Sequence, residues 1–239
     1  MTPRELTENF IAFCKEHQDE AVVKKYSRYF KDSYDAWGLT QELMDQKARE
    51  IQDHEAFTMD LLLDAAPLLF KSGKYEETAI VLSILNRRLN KLDIEVFKAI
   101  SGWFSIAIRN WAHADILAMN IIPEFILRKL IRAEDLAEWT TSPFPFQRRC
   151  VPVSFIKPLK KGHELEVFLN IIEPMMRDDE RVVHQGLGWF LREAWKLHPV
   201  QTESFLLKWK EISARLIFQY ACEKMSREQK ERFRKSKQK

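Results

Sequence analysis

The chain is predicted to be all-α, a superhelical stack of antiparallel helical hairpins of the HEAT or armadillo kind with a concave binding face. Three observations carry that prediction. Only six glycines stand among 239 residues, against 31% charged residues and seven tryptophans, a balance that favours long helices over a sandwich of strands with many turns. Apolar residues recur at helical spacing in one segment after another. The segments are joined by connections of about two to six residues, the spacing of hairpins stacked in a line, and no strict sequence period accompanies them.

Taken in order, residues 4–17 form the first helix, with Thr2 as its N-cap, Pro3 at its first position and Leu6, Phe10, Phe13 and Cys14 on one face. Residues 21–30 make the second. A turn at 35–38 leads to the third at 40–54, and helices at 56–73, 75–90 and 93–108 follow, each rich in good helix formers and ended by a Gly, Asn or Asp signal. Pro123 opens a helix over 124–131. The stretch 146–160 is helical with a kink at Pro152, and 163–176 gives one more. Residues 182–199 place Val183, Leu187, Phe190, Leu191 and Trp195 at helical spacing, with Gly186 and Gly188 leaving two small positions beside Trp189. The last long helix covers 202–225. No polar linker divides the chain, so residues 1–225 are expected to be a single domain.

Hydrophobic residues are 46% of the chain, enough for a sizeable core. Cys14, Cys150 and Cys222 are odd in number and far apart, which argues against a zinc site or a disulfide framework and for a reducing compartment. No signal peptide and no membrane-spanning run is apparent, so a cytoplasmic protein is expected. The net charge of +3 divides unevenly: residues 226–239 carry Arg227, Lys230, Arg232, Arg234, Lys235, Lys237 and Lys239 against Glu228 and Glu231. This basic C-terminal tail, outside the domain, attracts polyanions or simply keeps the terminus soluble. The rest of the chain is slightly acidic, so any nucleic-acid contact must come from a local patch.

Three stretches could carry chemistry: Asn110 to Asp115, Phe146 to Arg149, and Gly188 to Arg192. In a helix, Trp111 and Asp115 are at i and i+4, as Trp189 and Arg192 are at i and i+3, so each pair shares a face. An indole offers a flat, electron-rich face to a cation, and a guanidinium offers a fork to phosphate. The plainer alternatives are a core tryptophan beside a surface arginine, and Asp115 as the cap of a helix over 116–122. His113 lacks partners at metal-ligand spacing and reads as a packing or surface histidine; no metal and no cofactor is expected.

The order N-W-x-x-x-D, then F-Q-R-R, then H-Q-G-L-G-W-x-L-R-E resembles the DNA alkylation repair family, the AlkD-type alkylpurine DNA glycosylases built from HEAT-like repeats. The segment KKYSRYFKDSYDAWGL resembles that family's N-terminal part, so the resemblance runs from about residue 19 to about residue 200. It implies a catalytic Asp115, cleft tryptophans Trp111 and Trp189, a cleft tyrosine Tyr29, and phosphate-contacting Arg148 and Arg192. Arg149 is the alternative to Arg148 by a shift of one residue. The chain departs from the pattern at Asn110, Ala112 and His113, where many relatives carry a second Trp and an extra acid. It departs again at Pro145, where a Trp is usual and Phe144 and Phe146 flank the position. The resemblance implies base excision repair as a monomer: hydrolysis of the N-glycosidic bond of cationic N3- or N7-alkylated purines in double-stranded DNA, in the cytoplasm and nucleoid-associated when bound to DNA. Two other readings stay open: a non-catalytic binder of bent or branched DNA, and a helical-repeat scaffold for another protein.

Overall fold

The computed structural model describes residues 1–31 and 34–236. Among these every regular element is helical, as the glycine-poor, periodically apolar sequence predicts, and no helix is long and apolar enough to cross a membrane. The chain forms two compact units, Met1–His113 and Ala114–Lys239. The division falls inside a helix, which is why no polar linker marks it in the sequence.

The first unit begins with α1 (Pro3–Glu16), started by the predicted Thr2 cap: its hydroxyl accepts from Glu5 N at 3.2 Å while the Glu5 carboxylate accepts from Thr2 N at 2.7 Å. Then come α2 (Glu20–Ser27), α3 (Gln41–Asp53), α4 (Met59–Leu69), α5 (Tyr75–Arg87) and α6 (Ile94–Trp103). Asp19, Thr40, Thr58 and Asp93 cap four of these through side-chain oxygens. Helix α1 packs on α4, which with α3 packs on α5. Several helices are shorter than periodicity implies: the fourth is confined to Met59–Leu69 and the fifth ends at Arg87. The second ends at Ser27, so Tyr29 and Phe30 lie beyond it, and the sixth ends at Trp103, where the Ser105 hydroxyl donates to the Gly102 carbonyl at 2.7 Å. Gly38, at φ +88°, is required at its turn: a Cβ there would lie 2.1 Å from the Asp19 carbonyl oxygen. The buried Glu76 carboxylate holds that turn by accepting from the backbone N–H groups of Trp37, Gly38 and Leu39 at 2.8, 2.8 and 3.1 Å.

Helix α7 (Trp111–Ile116) continues through a π-helical turn, Leu117–Ile121, into α8 (Ile122–Leu127). The second unit goes on through a 3-10 stretch, Ala133–Thr141, then α9 (Pro145–Ser154), α10 (Ile156–Lys160) and α11 (Leu165–Ile172). After these come α12 (Arg181–Leu197), α13 (Pro199–Trp209), α14 (Arg215–Ala221) and α15 (Arg227–Glu231). The kink expected at Pro152 is a break at Phe155 between α9 and α10. Pro158 lacks the backbone donor that would reach the Ser154 carbonyl, so the ladder is interrupted where α9 meets α10, while Pro152 lies inside α9.

Helix α12 is the centre of this unit, packed against α9 on one side and α14 on the other. Its two glycines explain how. A Cβ on Gly186 would sit 3.2 Å from the Arg149 carbonyl oxygen, and one on Gly188 would sit 2.4 Å from Tyr220 Cβ and 2.7 Å from the Ile217 carbonyl. One glycine therefore admits α9 and the other admits α14, and Trp189 stands between them, half-buried.

The predicted final helix 202–225 is split at 210–214 into α13 and α14, and the stretch expected to lie outside the fold as a basic tail is docked as far as it is described. Phe233 is fully buried, its carbonyl accepts from Arg215 Nη1 at 2.8 Å, and Arg232 pairs with Glu203 at 2.6 Å. One aromatic anchor in a charged run is enough to tie it down. Lys237 and Lys239 lie outside the described residues.

Glu193 on α12 is 6% exposed and accepts from Lys196 at 2.7 Å and Lys160 at 3.2 Å. Burial pushes its carboxyl up, but the two lysines outweigh it and draw the pKa from 4.5 down to about 2. A depressed carboxyl contributes stability that is present above its unfolded value and is lost as pH falls through the folded one. This pair of lysines should therefore contribute about 3 kcal/mol at neutral pH, lost between about pH 4.5 and 2. Glu193→Gln is expected to flatten the acid limb of thermal stability over that window; an unchanged profile would assign acid unfolding to other groups.

Candidate functional site

Each unit holds part of the set singled out in the sequence. In the first, Asn110 caps α7, its side-chain oxygen accepting from His113 N at 2.9 Å. That cap turns Trp111 outward, 43% exposed. The Trp111 indole N–H donates to the Tyr29 carbonyl at 3.2 Å, and its ring stacks on Phe30 at 5.7 Å and 25°. Tyr29 is 56% exposed, and the Arg28 guanidinium lies 5.0 Å above its ring. Beneath these, Phe30 stacks on Tyr34 at 4.5 Å, Tyr34 lies 5.3 Å from Tyr75, and Tyr75 stacks on His113 at 4.5 Å. His113 is a buried packing residue: burial lowers its pKa to about 3, so the ring is neutral at pH 7. Its Nε2 donates to the Tyr75 carbonyl at 3.1 Å, and Nδ1 accepts from Asn110 at 2.9 Å. Phe30, Tyr34 and Tyr75, which the sequence reading passed over, thus support Trp111 and Tyr29. The aromatic spacing at 26, 29, 30 and 34 was the available signal.

In the second unit, Asp115 lies within α7 and does not cap it. Its carboxylate accepts both arms of the Arg149 fork, Nε at 2.8 Å and Nη2 at 2.9 Å, and its side chain keeps 19% of its surface exposed. Arg149 Nη1 donates to the Val182 carbonyl at 2.8 Å, so the same guanidinium ties α7 to the start of α12. A bidentate pair leaves the carboxylate little freedom to rotate. Beside it, burial and the Asp115 charge push the Cys150 thiol up, and Cys150 is an inert neighbour.

Arg148 points elsewhere. Its Nε and Nη2 donate to Asp178 at 2.6 and 3.2 Å and its Nη1 to the Ser142 carbonyl at 2.7 Å, with 15% of the side chain exposed. Asp178 also accepts from Glu180 N at 2.8 Å, so Arg148 fixes α9 to the loop that leads into α12. Of the adjacent arginines, Arg149 joins the aspartate and Arg148 holds the scaffold. Arg192 follows Trp189 by three on α12; its Nε lies 3.2 Å from a Glu193 oxygen and its Nη1 donates to Glu223. All three arginines singled out for phosphate therefore meet carboxylates. Asp178 and Glu223 lie some thirty positions from their partners, and no local pattern announces them.

Chemically, the second unit holds an oriented carboxylate that keeps some exposed surface, a half-buried tryptophan and an arginine in a partly exposed ion pair. Such a set suits a substrate that is cationic where it reacts and anionic at its flanks.

Residues 12–225 match the family model described as DNA alkylation repair enzyme. Among solved structures, the chain is similar to a predicted DNA alkylation repair enzyme from Enterococcus faecalis, at a TM-score of 0.74 and 14% identity over 88% of this chain and 98% of that one. It is also similar to AlkD2 from Streptococcus mutans, at a TM-score of 0.59 and 19% identity over 86% and 97% of the two chains. A third likeness, to smu.31 from Streptococcus mutans UA159, has a TM-score of 0.59 and 18% identity over 77% and 92%. At these identities the likeness is one of fold. No curated protein matches the chain.

Proposed function

The chain belongs to the DNA alkylation repair enzyme family, and we propose that it is a DNA glycosylase that removes cationic N3- or N7-alkylated purines from double-stranded DNA. The observation that carries this reading is the Asp115 carboxylate, gripped by the Arg149 fork yet with 19% of its side chain exposed. An alkylated purine already bears positive charge, so it leaves without a general acid, and the work falls on the sugar. As the bond lengthens C1′ takes on oxocarbenium character, which a carboxylate stabilises while orienting the attacking water.

Magnitudes decide whether one paired carboxylate is enough. At about 4 Å and an effective dielectric near 20, a carboxylate offers a unit positive charge roughly 4 kcal/mol. A guanidinium about twice as far away opposes this with roughly 2 kcal/mol, leaving a net of roughly 2 kcal/mol, or about thirtyfold in rate. The indoles of Trp111 and Trp189 each add roughly 0.5 to 2 kcal/mol by cation-π attraction. Together these suit a bond that is already labile. Tyr29 joins the tryptophans as a sugar contact, and Arg192 contacts the flanking phosphate. Arg149 is a positioning residue that acts through Asp115, and Arg148 acts through the loop it holds.

The test is release of free base. Under single-turnover conditions with excess enzyme, methylated duplex should yield 7-methylguanine or 3-methyladenine faster than without protein. Binding of the duplex with no release would overturn the reading in favour of a non-catalytic DNA binder. The scaffold alternative has less support, since neither tryptophan is core.

A further inference from the structure

Around Glu223, just after α14, three cations from three places in the second unit gather at one residue, two on its carboxylate and one on its backbone carbonyl. Arg192 Nη1 from α12 donates to Oε2, and Lys224 Nζ lies 2.9 Å from Oε1. Lys230 Nζ from α15 donates to the Glu223 backbone carbonyl at 3.1 Å. The cluster is open: the Glu223 side chain is 44% exposed and that of Lys224 56%. Its sum is two positive charges, and it sits where the docked C-terminal segment brings α15 to the end of α12.

We propose that Arg192, Lys224 and Lys230 form a composite phosphate site for the DNA backbone, which Glu223 fills as an internal stand-in until a phosphate diester displaces it. This rests on the proposed function only in assigning Arg192 to DNA; Lys224, Lys230 and Glu223 are added by the geometry. The Glu223 carboxylate takes one N–H of Arg192 and pairs with Lys224, which is how a phosphate oxygen would be received. A carboxylate has two oxygens on one carbon where a phosphate diester presents two free oxygens on phosphorus, so the stand-in is close in shape and in charge. The Lys224 and Arg192 contacts hold the Glu223 carboxyl below the usual range, so it is charged at neutral pH and competes with phosphate there. Part of any binding energy at this site is therefore used to expel Glu223, a built-in restraint on undamaged DNA. The segment 226–236 then has a role in the fold: Phe233 and Arg215 anchor the helix that delivers Lys230.

The experiment is binding of a short undamaged duplex by fluorescence anisotropy across a salt series, with thermal melting as a control for folding. Glu223→Gln should tighten binding about three- to tenfold at low salt without lowering the melting temperature. Lys224→Ala with Lys230→Ala should weaken it and make the slope of log K against log salt shallower by up to about one, the share of a single phosphate. No gain from Glu223→Gln, or an unchanged slope in the double lysine variant, would overturn the site. The two proposals fail separately. A wild type that binds with the expected slope yet releases no alkylated base leaves this site standing and removes the glycosylase reading. Normal base release with an unchanged slope in the lysine variant does the reverse.

Discussion

Asp115→Asn is expected to slow single-turnover release of 7-methylguanine or 3-methyladenine by about two to three orders of magnitude while the duplex still binds. The substitution removes the carboxylate's roughly 4 kcal/mol and leaves the Arg149 guanidinium, whose charge then opposes the oxocarbenium without compensation. The loss is thus larger than the net contribution of the ion pair, because the opposing half stays behind. Asparagine still offers one acceptor to the Arg149 fork, which limits the structural cost. Release at the wild-type rate would show that the chemistry lies elsewhere in the protein, and a parallel fall in affinity for undamaged DNA would show that Asp115 acts in binding.

Arg149→Gln is expected to cost about 3 kcal/mol of stability, a fall of roughly 6–12 °C in melting temperature for a chain of this size. The Arg149 side chain is 8% exposed and that of Asp115 19%, so removing the cation strands a carboxylate with little water and leaves the Val182 carbonyl without its donor. Stability and chemistry are separated by the double variant Asp115→Asn with Arg149→Gln. Two neutral amides can hydrogen-bond to each other with no charge left unpaired, so melting temperature should recover toward the wild type. Base release should rise above that of Asp115→Asn, since the opposing guanidinium is gone, but stay about thirtyfold below the wild type, the net contribution of the ion pair. If release recovered to the wild-type rate together with stability, the aspartate would be a structural group. If neither single variant lowered the melting temperature, the pair would be as weak as one on the surface.

The amino-acid pattern by itself determined the helical class, the Thr2 cap with Pro3 behind it, the turn at Gly38 and the small residues beside Trp189, because each follows from contacts within a few residues. It also placed Trp111, Asp115, Trp189 and Arg192 on helices at spacings that a local rule can read. It did not show that Gly186 and Gly188 admit two different helices, nor that the final segment is anchored by Phe233, since both depend on elements far apart in the chain. Above all, the choice between adjacent arginines was beyond it. Arg148 and Arg149 are successive residues of α9, about 100° apart on the helix, and which of them meets a given carboxylate depends on how α9 is rotated against its neighbours. That rotation is set by α12 packing at Gly186, and it sends Arg149 to Asp115 across 34 positions of sequence and Arg148 to Asp178 across 30. Residue types and helical spacing fix which groups a face carries. Only the packing of one helix on another decides which opposite charge each of them meets.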